Sequence, residues 1–438
     1  MNLLSKFFII VLIINFLINA WGSEPIPAPP QKQPIALTNA VIHPVTNPVI
    51  ENGTILFDKG LIVDLGTDVT IPSDALTIDL QGKHVYPGFI ESYSRLGLTE
   101  IGAVKSTNDY NETGQINSNV RAEVAVNPES EYFPVARANG ITMAVTLPAS
   151  GIISGQSALL KLDGWTWEDM TLMAPVSMVM HWPELQVRTG SWRKPVEEQQ
   201  KDIQKNKDLL EKTFKDAQVY LVAREAAQKK GTPFHKKDLR LEALIPVLKG
   251  ELPVWITANS LQQIEAAVGW AEDLNIKMVL VGGTDAIYAT DLLKEKNIPV
   301  IITSILKLPA HRDSDIDEPF TLPLKLYQAG IKYCIASTGA SSVRNLPYHA
   351  AKAAAYGLPK EEALKAITLY PAEIIGVADR VGSLEKGKEA TLMVTDGDPL
   401  EIMTRIEKLY IQGRDTDLMN KHKQLYLKYQ ERYKQPGS

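Results

Sequence analysis

From roughly Pro87 to Glu385 the chain alternates short apolar runs with helical segments, and this alternation constrains the fold more than any other feature. Strand-like runs stand at Phe89–Ile90, Ile141–Leu147, Val254–Ala258, Met278–Val281, Val300–Ile302 and Lys332–Ala336. Helical segments include Ser260–Asp273, Ala286–Glu295 and Pro359–Thr368. Apolar strands separated by helix-length segments imply parallel pairing, because a parallel connection must cross back over the sheet. A stretch of about 300 residues fits a closed (β/α)8 TIM-like barrel with loop insertions better than an open sheet. Residues 87–385 are expected to form that barrel.

The two flanks read differently. Residues 35–86 hold short runs of alternating apolar and polar residues, ALTNAVIH, GTILFDKG, LIVDLG and ALTIDL, punctuated by Asn52-Gly53 and Asp58-Lys59-Gly60. Similar runs return far away at ATLMV (Ala390–Val394) and IEKLYIQ (Ile406–Gln412). The simplest arrangement is one small β-sandwich built from residues 35–86 and 386–414, with the barrel inserted between them. Residues 415–438 are expected to form a terminal helix with Leu418, Leu425, Tyr426 and Tyr429 turned inward. Val196–Lys230 carries Leu209, Leu210, Phe214, Ala217 and Leu221 on one face and both charge signs elsewhere, the pattern of a long amphipathic helix with a solvated side.

At the N-terminus, Lys6 precedes an apolar run from Phe7 to Leu17, short for a membrane span and suited to a signal-peptide core. Ala20-Trp21-Gly22 offers small residues at cleavage spacing. Residues 1–22 are therefore expected to be removed near Gly22-Ser23, leaving an exported chain, periplasmic or secreted, without a stable membrane span. Residues 23–34, with prolines at 25, 27, 29, 30 and 34, read as an extended linker. Cys334 is the one cysteine, so no intrachain disulfide forms, and its apolar setting IKYCIAS suggests a buried structural thiol. A net charge of −5 without a basic cluster gives no electrostatic reason to expect nucleic acid.

Chemistry is expected where barrel strands end. In VYPGFIESYSRLG (Val85–Gly97) the first barrel strand runs into Glu91 and then Ser92, Tyr93, Ser94, Arg95 and Leu96, with no histidine. His181, His235, His311 and His349 lie within the barrel region, none at HxH or HxxxH spacing. His181 (MVMHWPEL) and His311 (LPAHRDSD) sit in loop-like contexts from which a side chain can face a pocket. The acidic run Asp313, Asp315, Asp317 and Glu318 reads as a solvated loop. There is no GxSxG elbow, P-loop or GxGxxG.

VYPGFIES, the GQ of SGQSALL and the run Asn345–Leu400 (NLPYHAAKAAAYGLPKEEALKAITLYPAEIIGVADRVGSLEKGKEATLMVTDGDPL) together resemble the amidohydrolase superfamily, most closely its imidazolonepropionase-like branch. The resemblance implies hydrolysis of non-peptide carbon–nitrogen bonds with one or two divalent metals, zinc by default, at the barrel's C-terminal rim. It implies an HxH pair after the first strand and, in many branches, a lysine after the fourth. A histidine is implied after each of the fifth and sixth strands, and an aspartate after the eighth. In this sequence the HxH positions hold Tyr93 and Arg95, the fifth-strand signature is Thr257-Ala258-Asn259, the sixth-strand position is Gly282 and the eighth is Gly339.

Zinc-type sites need imidazole and carboxylate donors converging at ~2.0–2.2 Å. Arg95 is permanently cationic and repels a metal, and the two glycines supply no side chain. A bound metal lowers the pKa of water from about 15.7 to about 7, so its loss forgoes roughly 12 kcal/mol of nucleophile activation. The expectation is therefore a chain that has lost metal-dependent catalysis, needs no cofactor, and binds a small amide- or carboxylate-bearing ligand, or a partner, through Glu91, Tyr93, Arg95, Thr257, Asn259, His181 and His311. In an alternative reading Arg95 only fills the vacated site, paired to Glu91 or another carboxylate. In another, the chain stays an active amidohydrolase on cyclic amides or small peptides through a remodelled or metal-free site. Self-association, or pairing with an active paralogue, is compatible with each.

Overall fold

The computed structural model describes residues 26–187, 190, 193–230 and 237–435. The segment expected to be a signal peptide, its expected cleavage point and His235 lie outside the described residues. Residues 26–34 are extended, as their prolines dictate, yet they lie against the body rather than outside it. Ala28 is buried and its N–H donates to Asp163 Oδ2 at 3.0 Å, while Gln31 Nε2 donates to Phe57 O at 2.9 Å. A composition rich in proline predicts the extension but cannot show which acceptors the backbone meets.

Both ends of the chain contribute to one eight-stranded sheet. Its strands are β1 (Ile35–Ile42), β2 (Ile50–Asp58), β3 (Leu61–Gly66), β4 (Leu76–Asp79) and β5 (His84–Pro87), with β16 (Leu392–Thr395), β17 (Ile406–Ile411) and β18 (Arg414–Asp415). The order is β18-β17-β16-β5-β1-β2-β3, and β4 pairs with β1. The free side of β3 bonds back to residues 387–389, Ile62 N donating to Lys388 O at 2.8 Å. The sheet thus rolls around Leu37, Ile42, Ile55, Phe57, Val85, Leu392 and Tyr410. Where two stacked sheets were expected, the hydrogen bonds join all eight strands into one.

Between these ends run β6 (Phe89–Ser94), β7 (Ile141–Thr146), β8 (Ile153–Gln156), β9 (Ala158–Lys161), β10 (Thr171–Met173), β11 (Met178–His181), β12 (Val254–Ala258), β13 (Met278–Gly282), β14 (Val300–Thr303) and β15 (Tyr333–Ala336). They form two sheets, β10-β9-β7-β6 and β15-β14-β13-β12-β11-β8. β8 and β9 are one run of chain broken only at Ser157, which bonds to the backbone at 176–177 on the β11 side. At the other margin β15 meets β6, where Ser337 N donates to Glu91 Oε2 at 2.9 Å and Arg95 N donates to Gly339 O at 2.9 Å.

Pairing is parallel for β6–β7 and from β11 through β15. The run β8/β9 instead pairs antiparallel with both β7 and β11, against the uniform alternation expected. The cause is the short link from β7 to β8, which is too brief for the dozen or more residues a parallel crossover requires.

Side-chain alternation splits the core into two layers. Val179, Trp255, Val279, Val281, Ile301 and Cys334 pack together between the strands, whereas Met180, Ile256, Leu280 and Ile302 meet the helices. Cys334 is fully buried, as expected, and burial pushes its thiol up to about 12. The helix Val196–Lys230 spans the expected range and docks through Leu210, Phe214 and Ala217, with Phe214 edge-on to Trp270 at 4.8 Å between ring centroids. The terminal helix Lys421–Lys434 departs from expectation. None of its residues is buried, and Leu425, Tyr426 and Tyr429 are exposed. Among the described residues no helix is long and apolar enough to cross a membrane.

Candidate functional site

Glu91 lies on β6 with no exposed surface, so it braces two strands rather than lining an open pocket. Its Oε1 accepts from Tyr93 N at 3.0 Å, and its Oε2 accepts from the N–H and hydroxyl of Ser337. Burial pushes its carboxyl up to about 7, against the lowering effect of those three bonds.

Arg95 follows β6 at the rim. Its guanidinium carbon stands 4.1 Å from the centroid of the Tyr110 ring, a cation–π contact, and among the described residues it has no carboxylate partner. The alternative pairing with Glu91 is not formed, because Glu91 is already taken by Ser337 and Tyr93. Tyr93 is half-buried, and burial pushes its phenol up. It neighbours Thr257, but the two hydroxyls do not meet hydrogen-bond geometry.

His181 is not in a loop. It is the last residue of β11, a strand of four residues too short to stand out in the sequence. With β8/β9 counted as one strand and the edge strand β10 set aside, β11 is the fourth strand from β6, where the resemblance implied a lysine. His181 pairs in register with Thr257 of β12. Both His181 Nε2 and Thr257 Oγ1 are buried with no hydrogen-bond partner among the described residues. Burial first, and the nearby charge of Arg95 second, hold the His181 imidazole below its usual range. Two unpartnered polar atoms side by side, next to a guanidinium without a carboxylate, make a site that gains by accepting a polar guest, since each orphan atom costs about 1–3 kcal/mol.

Asn259 is fixed by the helix that follows it. Ser260 caps Leu261–Asp273 in a capping box with Gln263, whose Oε1 accepts from Asn259 N at 3.2 Å. Gly282, at the end of β13, has φ +89°, and a Cβ there would overlap Asn259 Oδ1. The implied histidine therefore has neither the backbone nor the space to stand at 282. Thr284 Oγ1 donates to Asn259 Oδ1 at 3.2 Å and accepts from Lys307 Nζ at 3.3 Å. His311 Nε2 and Asp285 Oδ1 stand 2.7 Å apart, and Asp285 raises the imidazole above its usual range. His311 thus serves this outer pair, not the group around Arg95. Gly339, at φ +74°, supplies a carbonyl to Arg95 N.

The structure gathers Tyr93, Arg95, His181 and Thr257, with Asn259 at their margin. Tyr110, Thr284, Lys307 and Ser337 also belong to this region but do not stand out in the sequence, where Tyr110 and Lys307 sit in loops with no distinguishing motif. Among the described residues no three His, Cys, Asp or Glu side chains come together in a way that would hold a metal ion.

The model of the amidohydrolase family matches residues 274–414. An amidohydrolase structure from Thermotoga maritima MSB8 superposes with a TM-score of 0.77 at 28% identity, covering 87% of this chain and 99% of that one. A prolidase solved with N-methylphosphonate-L-proline superposes with a TM-score of 0.54 at 17% identity, over 88% of this chain and 99% of its own, a likeness of fold. Among curated proteins, amidohydrolase TasK of Hapsidospora irregularis is 21% identical over 387 residues, 82% of this chain. The chain spans 39% of the length of that relative. The chain is thus similar to amidohydrolases, in sequence over residues 274–414 and in fold over most of its length.

Proposed function

We propose that this amidohydrolase-family chain is a binding protein that has given up metal-dependent hydrolysis. Its ligand is a small molecule bearing a carboxylate or amide, held at the rim by Arg95, Tyr93, His181, Thr257 and Asn259. Family members typically use a metal, but the donors here do not fit one: a guanidinium, a phenol and two glycines stand at the aligned ligand positions, and among the described residues His181 belongs to no group of three donors that could hold one. The single observation that carries the reading is the pair His181 Nε2 and Thr257 Oγ1, buried and unpartnered beside Arg95. A carboxylate accepts the fork of Arg95, while an amide offers both a donor and an acceptor to the two orphan atoms.

The surrounding architecture is read as a (β/α)8-type barrel, supported by the junctions at Ser157 and at Glu91–Ser337 that link the two sheets. The run Asn345–Leu400 supports placing the chain beside the imidazolonepropionase-like branch. Export after cleavage near Gly22-Ser23 belongs to the same proposal and rests on Lys6 and the apolar run behind it; N-terminal sequencing of the mature chain tests it. Titration calorimetry against a panel of small carboxylates and amides tests the binding reading. Arg95→Gln should weaken the best ligand by about 10-fold or more, the worth of a charged hydrogen bond. A panel with no binder, or binding indifferent to Arg95, contradicts the reading.

A second reading, metal-free hydrolysis of cyclic amides or small peptides, draws on Glu91. Its carboxyl is held up to about 7 and accepts from the Ser337 hydroxyl, and because it has no exposed surface it would serve a substrate only by relaying a proton through Ser337. Turnover of such substrates that survives chelators and is abolished by Glu91→Gln would favour it over binding alone.

A further inference from the structure

The terminal helix Lys421–Lys434 is built without the packing that normally stabilises a helix of its length. It is 14 residues long, and none of them is buried. Isolated helices this short are marginal in water even with favourable sequences. Its base is nevertheless well fastened. Asn420 is buried and its Oδ1 accepts from Lys423 N at 3.0 Å, and His422 Nε2 lies 3.3 Å from Arg344 Nη1. Beyond that first turn the helix leaves the body. Along the row of every fourth residue the exposed fraction climbs from 42% at Leu425 to 47% at Tyr429 and 79% at Tyr433.

Five large apolar or aromatic side chains of the helix are left bare, and four of them are ordered; the fifth, Leu427, stands on the opposite side. At 3.6 residues per turn, Leu425, Tyr426, Tyr429 and Tyr433 fall within an arc of about 100°. Lys421, Lys428 and Arg432 border this arc on one side, and Lys423 and Lys434 on the other. Glu431 is the only acidic residue of the helix. A positively charged helix on a chain whose net charge is −5 concentrates cations where the rest of the molecule has few to spare. Tyrosine has an apolar ring and a wet hydroxyl, which suits the headgroup layer of a bilayer better than a protein core. A narrow aromatic stripe bordered by lysine and arginine is the pattern of a helix that lies in the plane of a membrane interface.

We infer that the helix Lys421–Lys434 is a peripheral anchor that lies on an anionic lipid surface, with Leu425, Tyr426, Tyr429 and Tyr433 in the headgroup layer and the flanking lysines and arginine against the lipid charges. The polar character of the helix makes this attachment electrostatic and reversible rather than a span.

The test is co-sedimentation of the full chain with vesicles of phosphatidylglycerol and phosphatidylcholine, compared with vesicles of phosphatidylcholine alone. The expected result is binding only to the anionic vesicles, weakening as salt is raised. Each basic residue removed should lower the vesicle affinity about fivefold, so Lys428→Gln with Arg432→Gln should lower it about 25-fold. Tyr429→Ala with Tyr433→Ala should weaken it as well. All four side chains are exposed, so the variants fold, and matching far-UV spectra check that they do. Absence of binding to anionic vesicles overturns the inference, as does binding that neither pair of substitutions changes. Sedimentation that reveals a dimer dissolved by the tyrosine substitutions, without vesicle binding, also overturns it and assigns the stripe to a second copy.

Discussion

The substitution Glu91→Gln probes the physical state of the most buried carboxyl near the rim. In the folded chain burial holds this group up to about 7, against 4.5 when free. A carboxyl raised on folding contributes stability that is fully present below its unfolded pKa and lost as pH rises through its folded one. The window therefore runs from about 4.5 to about 7, and the difference converts to about 3 kcal/mol. The amide of the variant would keep an acceptor for Ser337 but would turn a donor toward Tyr93 N, a penalty of about 1–3 kcal/mol that does not depend on pH. Urea unfolding of both proteins, followed by tryptophan fluorescence across this range, measures the difference. At pH 4 the variant should be the less stable protein. By pH 8 the gap should have closed or reversed, having moved by about 3 kcal/mol. A constant offset at every pH would refute the reasoning, because it would mean that Glu91 titrates alike in both states.

Other outcomes follow from the same geometry. Gly282→His should not create a metal site and should destabilise the chain by at least about 1–2 kcal/mol in denaturant titration, since φ is +89° there and Asn259 occupies the space. The His311 imidazole should titrate above 6.5 by NMR, because Asp285 favours its charged form, and Asp285→Asn should bring it back down. Its effect on stability should be small, since His311 is largely solvated, and should fade as pH rises through the raised value. Tyr110→Ala should loosen the Arg95 guanidinium and cost about 0.5–1 kcal/mol of ligand binding by calorimetry.

Which parts of this molecule can be read from the sequence depends on how local their causes are. Strands such as Val254–Ala258 and Val300–Thr303 are legible because an apolar run between helical segments is itself the signal of a buried parallel strand. The glycines at 282 and 339 and the cation at 95 are legible as residues that cannot donate to a metal. The strand Met178–His181 is not, because four residues show no period, and sequence alone therefore assigns His181 to a loop. The antiparallel run through β8 and β9 follows from the length of one link, which says nothing until the neighbouring strands are located. The cation–π contact joins Arg95 to Tyr110 and the carboxyl brace joins Glu91 to Ser337 across 246 positions, so neither leaves a local trace. The terminal helix shows the converse limit. Its apolar stripe is legible, but an amphipathic pattern names a face without naming what covers it.

The most direct measurement is elemental analysis of the purified full chain after incubation with Zn, Mn and Fe salts and dialysis without chelator, paired with an assay on cyclic amides and dipeptides. Metal far below one equivalent per chain, with no turnover that chelators can remove, is the result predicted from the donors at the rim. A tightly held transition metal at one or two per chain, with amide hydrolysis abolished by chelator and restored by metal, would contradict it.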